Sequence, residues 1–215
     1  VQGPKSLDVM RKVFGEEISK LKFFNFNYFK FEDTDFMISK SGFSKQGGYE
    51  IYVENSSSGL KLYDYIIKIG NEFNLKPGCP NVIERIEGAL LSYGNDMDNN
   101  DNPFECGLDK YVNLRSNIEF LGKKALQKAK SEGIKRKLMG VKIKGKKINL
   151  TKEIELVNEN KKTIGHLRSA VYSPRFKMIV GIAMINLEHC NVSQNFKINI
   201  NNKEASGSVC SLPMN

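Results

Sequence analysis

After residue 133 the chain breaks into six short runs rich in β-branched and apolar residues: 137–142, 154–157, 163–171, 177–186, 196–200 and 207–212. Gly and Asn punctuate them, as turns between short strands require. That spacing predicts a small antiparallel barrel or sandwich, preceded by a short helix over residues 123–132. The first half has a different texture, with helical and strand periods mixed, so the whole chain reads as α+β.

In that first half a polar, Gly-rich turn, Ser41-Gly42-Phe43-Ser44-Lys45-Gln46-Gly47-Gly48, runs straight into Tyr49-Glu50-Ile51-Tyr52-Val53. Side chains alternate along a strand, so Tyr49, Ile51 and Val53 share the face expected to enter the core. Glu50 and Tyr52 then point together at solvent or a ligand. A hairpin with one wet face explains this pattern as well as a binding site does.

Residues 24–32 and 35–40 alternate as the two strands of an antiparallel hairpin around Asp33-Thr34. Ser6 is placed as the N-cap of a helix over 7–14, and residues 59–73 carry Leu60, Leu62, Ile66 and Ile69 at helical spacing. A further helix is predicted over 82–92, with Asn81 and Glu84 as a capping box. Glu87 falls on or beside its apolar stripe, where a carboxylate requires a partner or an edge. The polar loop 94–107 has carboxylates, but its Gly and closing Glu are out of register for a calcium-binding hand, so it reads as a loop with caps.

The composition, 40% hydrophobic and 27% charged, is that of an ordinary globular chain. No apolar run approaches the roughly 20 residues of a membrane-spanning helix. Cys79, Cys106, Cys190 and Cys210 form no C-x-x-C pair, which points to reduced thiols and a cytoplasmic protein. Glu188-His189-Cys190 is contiguous, and adjacent residues do not readily face one ion, so no metal site is expected. The net charge of +9 is uneven: residues 1–110 hold 13 basic against 17 acidic side chains, residues 111–215 hold 20 against 7. The excess is mostly lysine without interleaved aromatics. It is read as a solvated basic face or an attractor for a polyanionic ligand tail, rather than a nucleic-acid site.

Several stretches together resemble one family, the folate-dependent aminomethyltransferases of the glycine cleavage system and their relatives. These are Gln2-Gly3-Pro4, the turn and strand from Gly42 to Glu50, Arg85-Ile86-Glu87, Tyr93-Gly94-Asn95-Asp96 and Glu105-Cys106-Gly107-Leu108. Phe120-Leu121-Gly122-Lys123-Lys124-Ala125-Leu126, Tyr172-Ser173-Pro174 and Leu212-Pro213 extend the likeness to the end of the chain. The wording of residues 41–53 and 78–97 is most similar to the dimethylsulfoniopropionate demethylase branch. Gln46-Gly47 stands where the aminomethyltransferases carry Glu-Asp, and Asn81 where they carry an arginine. The Lys-Gly-Cys-x-x-Gly-Gln-Glu signature of the tRNA-modifying relatives is absent.

The resemblance implies the C-terminal part of a longer enzyme: residues 1–115 from the folate-binding, aminomethyltransferase-like region of mixed sheets and helices, and residues 116–215 as a small antiparallel β-barrel domain. It implies tetrahydrofolate as cofactor and a small sulfonium as substrate. Glu50 matches the pterin-binding glutamate, Tyr52 shares its face and is expected to pack on the folate ring or aim at the sulfonium, and Phe43 keeps the ring of a folate-touching tyrosine without the hydroxyl. Lys45 and Gln46 are expected at the substrate mouth. Arg85 and Glu87 are expected to form structural ion pairs. Methyl transfer from a sulfonium to N5 of tetrahydrofolate demands alignment more than acid–base work, which suits a chain with two histidines. Another folate-dependent methyl- or aminomethyltransferase is the near alternative, and a basic nucleic-acid-binding module the distant one. The oligomeric state is left open.

Overall fold

The six apolar runs of the second half fold as strands, and they close. In the computed structural model, which describes residues 1–79 and 81–214, they are β4 (Arg136–Ile143), β5 (Ile154–Val157), β6 (Thr163–Ser173), β7 (Met178–Asn186), β8 (Asn195–Ile200) and β9 (Lys203–Cys210). Pro80, in the stretch 78–97 compared above, and Asn215 lie outside the described residues. The strands form a closed barrel in the order β4-β7-β6-β5-β8-β9, every pairing antiparallel. Of the two architectures that fit the sequence, the barrel is the one adopted. Its interior is filled by Val141, Ile143, Leu156, Ile164, Leu167 and Phe196 with their neighbours.

β7 explains itself by burial on both faces. Ile179, Ala183 and Ile185 point into the barrel, while Val180, Ile182 and Met184 pack outward with Ile86 and Leu138. A strand covered on both sides loses the apolar–polar alternation and reads as one apolar run.

The chain divides into two compact units, 1–81 and 82–215. In the first, β1 (Phe26–Phe31), β2 (Thr34–Ser39) and β3 (Glu50–Tyr52) form an antiparallel sheet with β2 central. The helices α1 (Ser6–Phe14) and α2 (Ser56–Gly70) cover one face of it. Val9, Met10, Phe36, Ile38, Tyr49 and Leu62 make the core between them. Two helix starts differ from expectation. Ser6 is not a cap but the first residue of α1, because the Gly3-Pro4 turn closes with Ser6 N–H on the Gly3 carbonyl at 3.0 Å and enters the helix early. α2 starts before Gly59, since Asn55 caps it: its side-chain oxygen accepts from Ser57 N–H at 2.9 Å and Ser58 N–H at 3.4 Å.

In the second unit α3 (Val82–Glu87) ends well short of residue 92. Ala89 takes a left-handed conformation, φ 56°, Leu90 N–H reaches back to the Arg85 carbonyl at 2.8 Å, and Ala89 N–H to Ile86 at 3.2 Å. This is a Schellman stop built on alanine instead of the usual glycine, which is why the sequence conceals it. α4 (Lys123–Glu132) lies where the sequence places it.

The loop 94–107 is held by arginines. Arg85 donates to Asp96 at 2.8 Å and to Ser169 Oγ at 3.0 Å; Arg168 donates to Asp101 at 2.5 Å, and Arg136 to Glu105 at 3.0 Å. Burial alone would raise the Asp101 carboxyl. The hydrogen bond from Arg168 and the charges of Arg168 and Arg136 outweigh it and hold the group below its ordinary value. Glu87 accepts from Ser173 Oγ at 2.6 Å and lies 3.6 Å from Arg175. Arg85 and Glu87 are thus both ion-paired, each with its own partner and not with each other.

Candidate functional site

The face of the three-stranded sheet turned away from α1 and α2 carries the strand residues singled out above. Register sets them in rows. Phe26, Ser39 and Glu50 are cross-strand neighbours, and so are Tyr28, Met37 and Tyr52; Lys30 opposite Asp35 follows on. The alternate positions Phe36, Ile38 and Ile51 belong to the opposite, core side. Tyr28 and Tyr52 are 59% and 49% exposed, and Phe26 is as open, so this is an uncovered face rich in aromatic surface, with Glu50 in one row and Asp35 in another. Val53, expected in the core, lies outside the strand and is exposed, because β3 ends at Tyr52.

Glu50 is oriented by two hydroxyls. Ser41 Oγ–H donates to its carboxylate, and the Ser41 and Ser39 hydroxyls are in turn hydrogen-bonded. Ser41 has one proton and gives it to Glu50, so the Ser39 hydroxyl must be the donor in the second bond. The relay holds one carboxylate oxygen of Glu50, a residue that is itself exposed.

The turn that delivers Ser41 is clamped from an unexpected place. Gln2 donates through Nε2 to the carbonyls of Ser41 (3.1 Å) and Tyr49 (3.3 Å), and its Oε1 accepts from Ser44 Oγ at 2.9 Å. Gly3 N–H bonds to the Gly47 carbonyl at 3.1 Å. A side chain at Gly42 or Gly48 would overlap the Gln2 amide, and Gly48 also sits at φ 154°. These glycines are needed so that the backbone can close over Gln2. The sequence marked Gln2-Gly3-Pro4 only as a motif of the family it resembles; the clamp is its structural content.

Phe43, Lys45 and Gln46 stand exposed on this clamped turn, Lys45 at φ 60° and Gln46 N–H on Ser44 Oγ at 3.2 Å. Glu50 and Tyr52 are brought onto one face, while these three stay on the loop before it. Beneath the site, burial raises the pKa of Tyr49, whose hydroxyl has no hydrogen-bond partner among the described residues. Elsewhere the barrel carries an open groove lined by Asn149, Glu153, Glu155 and Asn201, which includes none of the predicted site residues. Among the described residues no group of three or more His, Cys, Asp or Glu side chains is placed to hold a metal ion.

Comparison with known proteins decides what this arrangement belongs to. The family model for the GCVT N-terminal domain matches residues 1–116, and that for the glycine cleavage T-protein C-terminal barrel domain matches residues 136–214. The chain belongs to the glycine cleavage T-protein family. Within the family, it is 39% identical over 189 residues to a dimethylsulfoniopropionate demethylase from Ruegeria pomeroyi, covering 88% of this chain and 51% of that one. It is 32% identical over 207 residues to an aminomethyltransferase from Caldanaerobacter subterraneus, covering 94% and 54%. The crystal structure of the glycine cleavage system aminomethyltransferase T from Bartonella henselae shares the fold, with a TM-score of 0.84 at 22% identity over 99% of this chain and 57% of that one. The chain thus spans about half the length of the T-protein relatives it matches.

Proposed function

We propose that the protein carrying this chain transfers a methyl group from dimethylsulfoniopropionate to N5 of tetrahydrofolate. The products are methylmercaptopropionate and 5-methyltetrahydrofolate. The S–CH₃ bond breaks with its electron pair returning to sulfur, the N5–CH₃ bond forms, and the N5 proton leaves to solvent. The observation that carries this reading is the open aromatic face with Glu50 and Tyr52 side by side, in a chain 39% identical to a dimethylsulfoniopropionate demethylase.

The exposed carboxylate of Glu50 suits the paired N–H donors of a pterin ring, and the exposed aromatics beside it suit a flat ligand. Tetrahydrofolate, when bound, supplies the nucleophilic nitrogen. The chain's own contribution is orientation: Ser39 and Ser41 hold Glu50, and Glu50 holds the ring so that donor and acceptor meet in line. Phe43 is assigned to stacking on the ligand, Lys45 and Gln46 to the substrate mouth, and residues 1–115 to the folate-binding region with 116–215 as the barrel domain. The four cysteines are free, which supports work in the cytoplasm. No helix among the described residues is long and apolar enough to cross a membrane.

Aminomethyl transfer to tetrahydrofolate at the same site is the second reading, favoured by the 32% identity to an aminomethyltransferase. Incubating the full protein with tetrahydrofolate and each donor, followed by mass spectrometry, separates the two. 5-Methyltetrahydrofolate and methylmercaptopropionate are expected; methylenetetrahydrofolate from the aminomethyl donor alone would overturn the proposal. Glu50→Ala is expected to weaken tetrahydrofolate binding by roughly 10- to 100-fold, the worth of one or two charge-assisted hydrogen bonds, with the melting temperature little changed. Unaltered affinity in a folded variant removes Glu50 from the site.

A further inference from the structure

One end of the barrel gathers cations from two stretches far apart in sequence. Ile143, the last residue of β4, pairs with Ile179 of β7, and Met178, the first residue of β7, pairs with Ser173 of β6. The loop 144–147 and the turn 174–177 therefore leave the barrel side by side. Gly145 keeps them close: at φ 150° it lies so near β7 that a Cβ would come within 3.0 Å of Ile179 Cδ1. We propose that this end of the barrel is a binding site for an oligophosphate anion, built by Lys142, Lys144, Lys146, Lys147, Arg175 and Lys177.

The charges there are left without counterparts. Lys144, Lys146, Lys147 and Lys177 are exposed and have no ion pair among the described residues. Phe176 holds the other two cations: Lys142 Nζ lies 4.4 Å and Arg175 Cζ 4.9 Å from the centre of its ring. Those two are thus less than about 10 Å apart, ordered on one aromatic ring before any ligand arrives. Glu87 lies 3.6 Å from Arg175. Glu204 is two residues along β9 from the Ser206 carbonyl that accepts from Lys144 N–H, but it is bonded to Lys197 at 2.9 Å. Six cations against one local carboxylate make a field that favours a compact ligand of several negative charges.

The chemistry of the patch selects among such ligands. A nucleic-acid strand requires aromatic faces for its bases, and the Phe176 ring is already engaged by its own cations. A lipid surface requires exposed apolar side chains, and among the described residues no large exposed one lies in 142–147 or 174–177. Ammonium groups act as point charges toward phosphate oxygens, and short, flexible loops of them suit a chain of two or three phosphates.

The test is calorimetric titration of the full protein at low ionic strength with inorganic tripolyphosphate, adenosine triphosphate and tri-γ-glutamate. Lys144→Gln combined with Lys177→Gln is expected to weaken tripolyphosphate binding by about four- to twenty-five-fold, two- to five-fold for each ammonium. Lys124→Gln combined with Lys130→Gln, both exposed on α4, removes the same charge from the same half of the chain. That pair is expected to change the affinity by less than about two-fold. Adenosine triphosphate is expected to bind no more tightly than tripolyphosphate, and tri-γ-glutamate more weakly. Equal losses in the two double variants would reduce the patch to a diffuse field and overturn the site. So would tri-γ-glutamate bound as tightly as tripolyphosphate, or a nucleotide preferred by about five-fold or more, the mark of a base pocket. Binding of single-stranded RNA by a protein with no affinity for tripolyphosphate would overturn it in favour of a nucleic-acid face.

Discussion

Two single residues give sharp tests. Tyr49 is 1% exposed, and its hydroxyl has no hydrogen-bond partner among the described residues. A buried, unpaired hydroxyl costs about 1–3 kcal/mol. Tyr49→Phe is therefore expected to raise the unfolding free energy by about 1 kcal/mol, read from denaturant midpoints at unchanged slope; a loss of stability would show that the hydroxyl is satisfied after all. Asp101 supplies the pH dependence. Its pKa is lower folded than unfolded, so its stabilising contribution is complete above the ordinary carboxylate range. That contribution drains away as pH falls through the ordinary value toward the depressed one. Melting temperature plotted against pH should drop in acid, and Asp101→Asn should flatten that part of the curve while lowering stability near neutrality. Cys106, buried beside the Asp101 and Glu105 carboxylates, has its thiol pushed up to about 11, so it is expected to resist alkylation at neutral pH in the folded protein.

At the scale of elements, the clamped turn and the Schellman stop carry the predictions. Gln2→Ala removes three hydrogen bonds from the turn that delivers Ser41. It is expected to weaken tetrahydrofolate binding through loss of order around Glu50, and Gly48→Ala to do so more severely. Faster amide exchange across residues 41–48 in Gln2→Ala would confirm the route. Ala89→Gly should stabilise the α3 stop by about 1 kcal/mol. The barrel strands were legible within a few residues because period-two patterning and Gly or Asn turns are local signals. The end of α3 was not, since Ala89 occupies the place where glycine announces a stop. Nor was the role of Gln2, a tertiary contact some 40 residues long-range in sequence, foreshadowed beyond its motif. Glu50 and Tyr52 were paired correctly by alternation alone, but Tyr28 and Met37 joined them only once three strands were in register.

At the scale of the whole molecule, charge and closure matter. Residues 111–215 carry an excess of 13 positive charges, 20 against 7, while the loop before them is acidic and pairs Asp96, Asp101 and Glu105 with Arg85, Arg136 and Arg168. The unneutralised lysines remain to attract polyanions over distances of about a Debye length. Tetrahydrofolate with longer polyglutamate tails is expected to bind more tightly at low salt, the advantage fading near 1 M; affinity independent of tail length would leave the lysines a purely solvating role. The barrel brings a different property. Each of its strands is hydrogen-bonded on both flanks, whereas β1 of the open sheet has one strand neighbour. A closed ring of ladders has no end from which to fray, so its interior amides should surrender their protons together, in one cooperative opening, while those of the three-stranded sheet are lost piecemeal from β1 inward.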